Sequence, residues 1–389
     1  MTVDFQLKRV TLFRSPERIY MGLGALKALR GEVERFDSHR PLIVTDPNME
    51  KLGYVDEIKR QLKNVKAEVF DEIRSEPSLQ DLEHLAKRAR EGSYDLIIGL
   101  GGGSVMDSAK IASISVTNEG LIEDYIGVNK VKNKRLPLIC IPTTSGTGSE
   151  VTRFAVIRYE NTKKAISSDL IIPDIAIVDP MLTVTLPPRV TAYTGLDALS
   201  HAVEAMISTL ATPFTDALAL TAIRDIFRYL KRAYKNGGDL EARYHMSMAA
   251  TLAGLSFNDP KVLLAHSIGQ TIGPVYNLPH GLSVAVTLPY VLDFYMVSSS
   301  DKIVLISEAA GIYDAEKTNE ENAQRLIKWL VNFYRELEIP LSIREFGASL
   351  KDLDKLAEYT VNLQPRDNSP IRFTKENMLE LYKKMLKGM

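Results

Sequence analysis

Cysteine is nearly absent: the chain of 389 residues has one, Cys140. That excludes an internal disulfide framework and is the usage expected in a reducing compartment. Cys140 lies inside the apolar run LPLICIP, where a thiol serves as a small buried hydrophobe. Long apolar stretches are missing as well. No run of 18 apolar residues is present to span a bilayer, and MTVDFQLKRV lacks the apolar core of a secretion signal. Charge of one sign is missing too. Forty-eight basic and 49 acidic residues leave a net charge of −1, which offers no footprint for nucleic acid or an anionic membrane surface. There is no repeat of fixed period and no low-complexity segment. These absences predict a cytoplasmic chain with no nucleic-acid and no membrane partner.

What is present is ordinary globular composition, 45% apolar and 25% charged, in a chain long enough for two domains or one large one. Up to about residue 180, short apolar runs alternate with amphipathic ones. PLIVTD from Pro41, AEVFDEI, YDLIIGL from Tyr94, LPLICIPTT from Leu136 and IAIVDP from Ile175 read as strands. NMEKLGYVDEIKRQLK, SLQDLEHLAKRAREG and GGGSVMDSAKIASISV read as helices between them, which predicts a mostly parallel sheet covered on both faces. After Leu186-Pro187-Pro188 long helical patterns take over, from TAYTGLDALSHAVEAMISTL to ENAQRLIKWLVNFYRELEI. The expected organisation is an α/β domain over residues 1–182 and an all-α domain over residues 183–389. The cleft between them is the default ligand site.

Histidine is scarce, six in all, yet His201, His266 and His280 fall within Gly195–Gly281 together with Asp197. Asp197 and His201 are i and i+4, so on a helix they share a face. His266 and His280 read as the end of one helix and the loop beyond it. One carboxylate and three imidazoles suit a borderline divalent cation, Fe2+ or Zn2+, whereas Mg2+ and Ca2+ want more oxygen. The competing reading is structural: a hydrogen-bonded core histidine, and a carboxylate in the first turn of its helix.

Two loops carry the other chemistry. Gly101-Gly102-Gly103-Ser104 follows a strand and opens a helix, presenting free N–H groups to an anion such as a pyrophosphate. It can also be a turn capped by Ser104, with Asp107 completing a capping box. Pro142 to Glu150, PTTSGTGSE, is dense in hydroxyls that suit phosphate, ribose or a carboxamide. Asp46, at the end of its strand, is placed to accept from ribose hydroxyls and to repel a 2′-phosphate, favouring NAD over NADP. Asp46-Pro47-Asn48 is equally a turn former.

GGGSVMDSAK, PTTSGTGSEVT, GLDALSHAVEA and LPHG, in this order, resemble the iron-containing (group III) alcohol dehydrogenase family over nearly the whole chain. The resemblance implies the dehydroquinate synthase-like fold, an α/β dinucleotide-binding domain plus an all-α metal- and substrate-binding domain. The implied activity is a metal-dependent, NAD(P)-linked alcohol dehydrogenase or aldehyde reductase acting on a small molecule, in a homodimer or larger homo-oligomer. Asp197, His201, His266 and His280 are the implied metal ligands. Gly101, Gly102, Gly103, Ser104 and Asp107 would serve the pyrophosphate, Thr143, Thr144 and Thr147 other parts of the cofactor, and Asp46 the adenosine ribose. Lys163 matches a lysine that reaches the cofactor, and Phe257 an aromatic lining the substrate pocket.

The chain departs from that pattern at three positions near the site. Gln270 stands where many members carry a histidine associated with proton transfer, Asp259 where asparagine is usual and Leu263 where glycine is usual. Glutamine is no general base near neutral pH. Arg153 is weighed as a partner for a substrate carboxylate against a solvated side chain. The rival readings on this scaffold are a hydroxy-acid dehydrogenase or transhydrogenase, a maleylacetate-type reductase, a dehydroquinate synthase-like lyase, and an inactive nucleotide-binding protein. Intact metal ligands argue against the maleylacetate type.

Overall fold

The computed structural model describes residues 10–63, 65–159, 162–363 and 366–389. Six strands form one sheet in the order Arg18–Met21, Ile175–Val178, Leu138–Pro142, Leu96–Gly101, Pro41–Val44 and Glu68–Phe70, each neighbour parallel to the next. Its central strands are buried along their whole length, which is why they read as continuous apolar runs. Side chains alternate between the two covered faces. Ile43, Ile98 and Ile139 pack with Leu29 and Ile58 on one side, while Val44, Ile97 and Cys140 pack with Met106 and Ala109 on the other. Cys140 is therefore the small hydrophobe expected, and burial pushes its thiol up to about 12.

The structure departs from the expected pattern in three places. Arg18–Met21, half-exposed at the sheet edge, is a strand that its mixed composition hides. A separate three-stranded sheet joins Gly127–Val128, Thr162–Ser167 and Phe154–Tyr159. The helix expected over NMEKLGYVDEIKRQLK is two, Pro47–Lys51 and Tyr54–Gln61, because Gly53 turns the chain at φ +75°.

From Pro188 onward every regular element among the described residues is helical. Pro188 and Pro213 occupy first helical positions, where a missing N–H is harmless. The helices Pro188–Ile207, Pro213–Lys235 and Leu240–Phe257 pack through alanine-rich faces such as Ala198, Ala202, Ala219, Ala222, Ala249 and Ala253. No helix among the described residues is long and apolar enough to cross a membrane.

The loop after Leu138–Pro142 joins the sheet to the helices. Ser145 Oγ meets Ser247 Oγ at 3.1 Å, and Thr251 Oγ1 donates to Glu150 at 2.7 Å. Gly148, at φ +63°, lies so close to Gly254 of the Leu240–Phe257 helix that a Cβ on Gly254 would stand 2.8 Å from the Cα and O of Gly148. Backbone blocks that side chain, so relief requires the loop and the helix to separate. Gly254→Ala is expected to lower stability by about 1–3 kcal/mol, read as a fall in the denaturant midpoint, as overpacking does. An unchanged midpoint would show that the two layers are not pressed together there.

Candidate metal centre and coenzyme cleft

The Pro188–Ile207 helix starts more than two turns before Asp197, so this carboxylate sits in mid-helix and not at the N-terminal turn. Asp197 and His201 are 2% and 5% exposed on its inner face. His266 lies in the first turn of the Leu264–Tyr276 helix, and His280 opens the short His280–Ala285 helix. Both placements correct the expectation of a helix end followed by a loop. The SFNDPKVLLAH stretch breaks one helix at Phe257 and starts the next at Leu264 without a side-chain cap to announce it.

Asp197, His201 and His266 each present a donor atom within 4.8 Å of the others. Asp197 Oδ1 lies 3.6 Å from His266 Nε2 and 3.8 Å from His280 Nε2, too far for hydrogen bonds. Buried and without hydrogen-bond partners among the described residues are Asp197 Oδ1, His201 Nδ1, His266 Nε2 and His280 Nδ1. Unpaired buried polar atoms are rare because each forfeits hydration without return. Here they converge. A divalent ion with bonds of about 2.1 Å sets its donors about 3–3.5 Å apart, so these residues fit one with small adjustments.

Electrostatics set the protonation of these four groups differently. Burial holds His201 down to about 4, which keeps its imidazole neutral and able to ligate. Burial also works against charge on His266, but Glu204 and Asp197 outweigh it and raise this group to about 9. Burial opposes ionisation of Asp197, yet His201, His280 and His266 together hold it well below the usual carboxylate range. Burial, then the charge of Lys163, depresses His280.

Glu204, fully buried, went unnoticed in the sequence although it continues the Asp197–His201 face at i+7. Its Oε2 lies 2.5 Å from His266 Nδ1, and its Oε1 accepts from Ala265 N. When His266 gives up its extra proton to ligate, this contact keeps the remaining one on Nδ1 and leaves Nε2 bare. Phe257, the last residue of its helix, stacks on His201 with ring centroids 4.3 Å apart and holds that ring flat.

The glycine loop is where the sequence places it, between the strand Leu96–Gly101 and the helix Gly103–Ser115. Gly102, not Ser104, is the N-cap, and no side chain caps this end, so the capping box is corrected. Among the described residues no hydrogen bond engages the N–H of Gly103 or Ser104. A Cβ on Gly103 would stand 2.6 Å from Thr147 Cγ2, and one on Gly102 would stand 3.4 Å from Thr144 Cγ2. The two loops thus interlock, with Thr144 and Thr147 half-buried over the glycines and Thr143 buried behind them. Bare backbone, an uncapped helix start and hydroxyls overhead fit a pyrophosphate.

Other expected cofactor residues are engaged elsewhere. Asp107 accepts from Ser149 Oγ at 2.5 Å and from Val156 N at 2.8 Å, and lies 3.6 Å from the fully buried Lys110. It braces the second loop from behind. Asp46 caps the Pro47–Lys51 helix by accepting from Asn48 N at 2.9 Å through Oδ1. Lys163 is 11% exposed and pairs with Glu76.

Gln270 lies one turn beyond His266, its Oε1 receiving Arg366 Nη2 at 3.4 Å. Arg153 is buried and pairs with Asp169 at 3.0 Å and with Asn129, so it is neither solvated nor turned to a substrate. Asp259 meets Arg14 in an ion pair beside Asn258, whose Oδ1 accepts from Arg153 N. Its charge serves a tie between segments. Leu263 is fully buried in the helical core.

Two family models match the chain: iron-containing alcohol dehydrogenase over residues 16–180, and the C-terminal part of the Fe-containing alcohol dehydrogenase family over residues 191–386. The chain belongs to the iron-containing alcohol dehydrogenase family. It is 38% identical over 381 residues to long-chain-alcohol dehydrogenase 1 of Geobacillus thermodenitrificans, covering 96% of each chain. It is 33% identical to the NAD-dependent methanol dehydrogenase of Bacillus methanolicus, covering 97% of this chain and 100% of that one. The solved alcohol dehydrogenase from Oenococcus oeni superposes with a TM-score of 0.93 at 31% identity, over 97% of this chain and 100% of that one. The fold, an α/β domain followed by a helical domain, and an oxidoreductase activity on CH–OH groups follow from this membership.

Proposed function

We propose that this enzyme interconverts a small alcohol and its aldehyde, using a divalent ion, Fe2+ or Zn2+, held by Asp197, His201, His266 and His280. The observation that carries the reading is the convergence of buried donors of Asp197, His201 and His266 from two helices, with His280 Nε2 brought to 3.8 Å from Asp197 Oδ1 by a third. Bound there, the ion supplies Lewis acidity toward a substrate oxygen and the dinucleotide supplies the hydride acceptor or donor.

The residues bind and orient. Gly103 and Ser104 offer their N–H groups to the pyrophosphate, with Thr144 and Thr147 above it. Asp46 offers a carboxylate oxygen to the adenosine ribose and repels a 2′-phosphate, which makes NAD the preferred coenzyme over NADP. Glu204 and Phe257 fix the rings of His266 and His201, so the ligand geometry is set before substrate arrives. Gln270 orients by hydrogen bonding and takes no proton. In this reading residues 1–182 bind the dinucleotide and residues 183–389 the metal and substrate, in a cytoplasmic homodimer or larger assembly. A hydroxy-acid substrate is disfavoured, because Arg153 already spends its charge on Asp169.

Initial rates of NADH formation over primary alcohols, diols and hydroxy acids, repeated with NADP, test this directly. Net coenzyme reduction by a simple alcohol, with kcat/KM higher for NAD, is expected. It would also exclude a lyase that regenerates its own coenzyme. No turnover of any alcohol or aldehyde with either coenzyme would sink the reading.

A further inference from the structure

Ser75-Glu76-Pro77 connects the strand Glu68–Phe70 to the helix Leu79–Glu91, and Glu76 is the unusual residue in it. Its φ is +52°, a left-handed conformation that glycine and asparagine adopt easily and glutamate does not. It also precedes a proline, which by itself favours extended backbone. Seven non-glycine residues among those described hold a positive φ, so the conformation alone assigns Glu76 no role and its contacts decide.

Two contacts show where that side chain acts. The N–H of Glu76 donates to Ser104 Oγ at 3.2 Å, in the first turn of the helix that follows the glycine loop. Its Oε1 accepts from Lys163 Nζ at 2.7 Å. Glu76 therefore ties the first turn of that helix, through its N–H, to the lysine, through its carboxylate. This sets a negative charge on an ammonium within one side chain's length of a helix start with bare N–H groups. A pyrophosphate seated on Gly103 and Ser104 would share Lys163 with this carboxylate. Two anions drawn to one cation repel each other.

We propose that Glu76 is a competing carboxylate at the pyrophosphate site: it holds Lys163, opposes the phosphates of the dinucleotide, and so speeds dinucleotide release. The inference rests on the dinucleotide reading above. Weakened binding is useful to a dehydrogenase, since product release often limits turnover. The strained backbone fits the same role, because it aims the carboxylate at Lys163 while its own N–H steadies Ser104.

The test is NADH binding to the purified protein by fluorescence titration, with release followed by stopped flow. Glu76→Gln removes the charge at constant length, and Glu76→Asn removes it while relieving the backbone. Both are expected to lower Kd about five- to tenfold, most of it as slower dissociation, whereas Glu76→Asp should stay near the parent value. In a Lys163→Met background the gain should shrink to what the direct repulsion alone contributes. A Kd unchanged or raised in both neutral variants overturns the proposal, making Glu76 a support for the loop. A gain of the same size without Lys163 overturns the shared-lysine arrangement. A parent protein that binds no NADH overturns the dinucleotide reading itself, which keeps the two failures distinct.

Discussion

Chelator-stripped protein is expected to lose at least three orders of magnitude of alcohol-dependent NADH formation, and to regain it with one divalent ion added back. The size follows from the chemistry. A neutral alcohol is a poor hydride donor, and Lewis-acid stabilisation of developing oxygen charge is worth several kcal/mol. About 4 kcal/mol is already a factor of about 10³ in rate. Asp197→Asn should reproduce the loss in protein that is never stripped. Asp197 is the only anionic member of the candidate ligand set, and asparagine keeps its shape while removing its charge. Metal content by elemental analysis should fall with activity in that variant. Add-back of Fe2+ under anaerobic conditions, Zn2+, Mn2+ or Ni2+ identifies the working ion. Activity that survives complete stripping would sink the Lewis-acid mechanism and leave Asp197, His201 and His266 as a structural cluster.

The features legible in the sequence were those with a local period. Central strands read as continuous apolar runs because both faces of the sheet are covered. Asp197 and His201 declared themselves through i, i+4 spacing, and the glycine loop through its place between a strand and a helix. Features set by distant partners did not show. Ser104-x-x-Asp107 matches a capping box, but Asp107 is claimed by Ser149 and Val156 from the second loop. Arg153 looked free in sequence because Asp169 and Asn129 come from other segments. Glu204 did leave a signal: a carboxylate on the buried face of an apolar helix must have a partner, and the neighbouring histidines were the candidates. His266 was recognised while its helix was not, since Leu263 provides no capping side chain.

Glu204→Gln is the second large effect, expected to weaken metal binding about 10–100-fold while the chain still folds. Both oxygens of Glu204 accept hydrogen bonds, Oε1 from Ala265 N and Oε2 from His266 Nδ1. A glutamine offers one acceptor and one NH2 group, so it satisfies only one of these donors. If its oxygen faces Ala265, its NH2 opposes His266 Nδ1, and the imidazole must move its proton to Nε2, the atom that faces Asp197. If its oxygen faces His266, the buried N–H of Ala265 is left opposite a donor, at a cost of about 1–3 kcal/mol. The negative charge that Glu204 adds behind His266 is gone in either case, and Asp197 alone is left to draw a cation. Glu204→Ala adds a cavity beside His266 and should lose both metal and stability. Competition with a calibrated chelator reads the affinity, and a denaturant midpoint on stripped protein reads the stability separately. Metal affinity equal to the parent in Glu204→Gln would mean that Phe257 and the helix start alone orient the His201–His266 pair, and that the buried carboxylate serves only the fold.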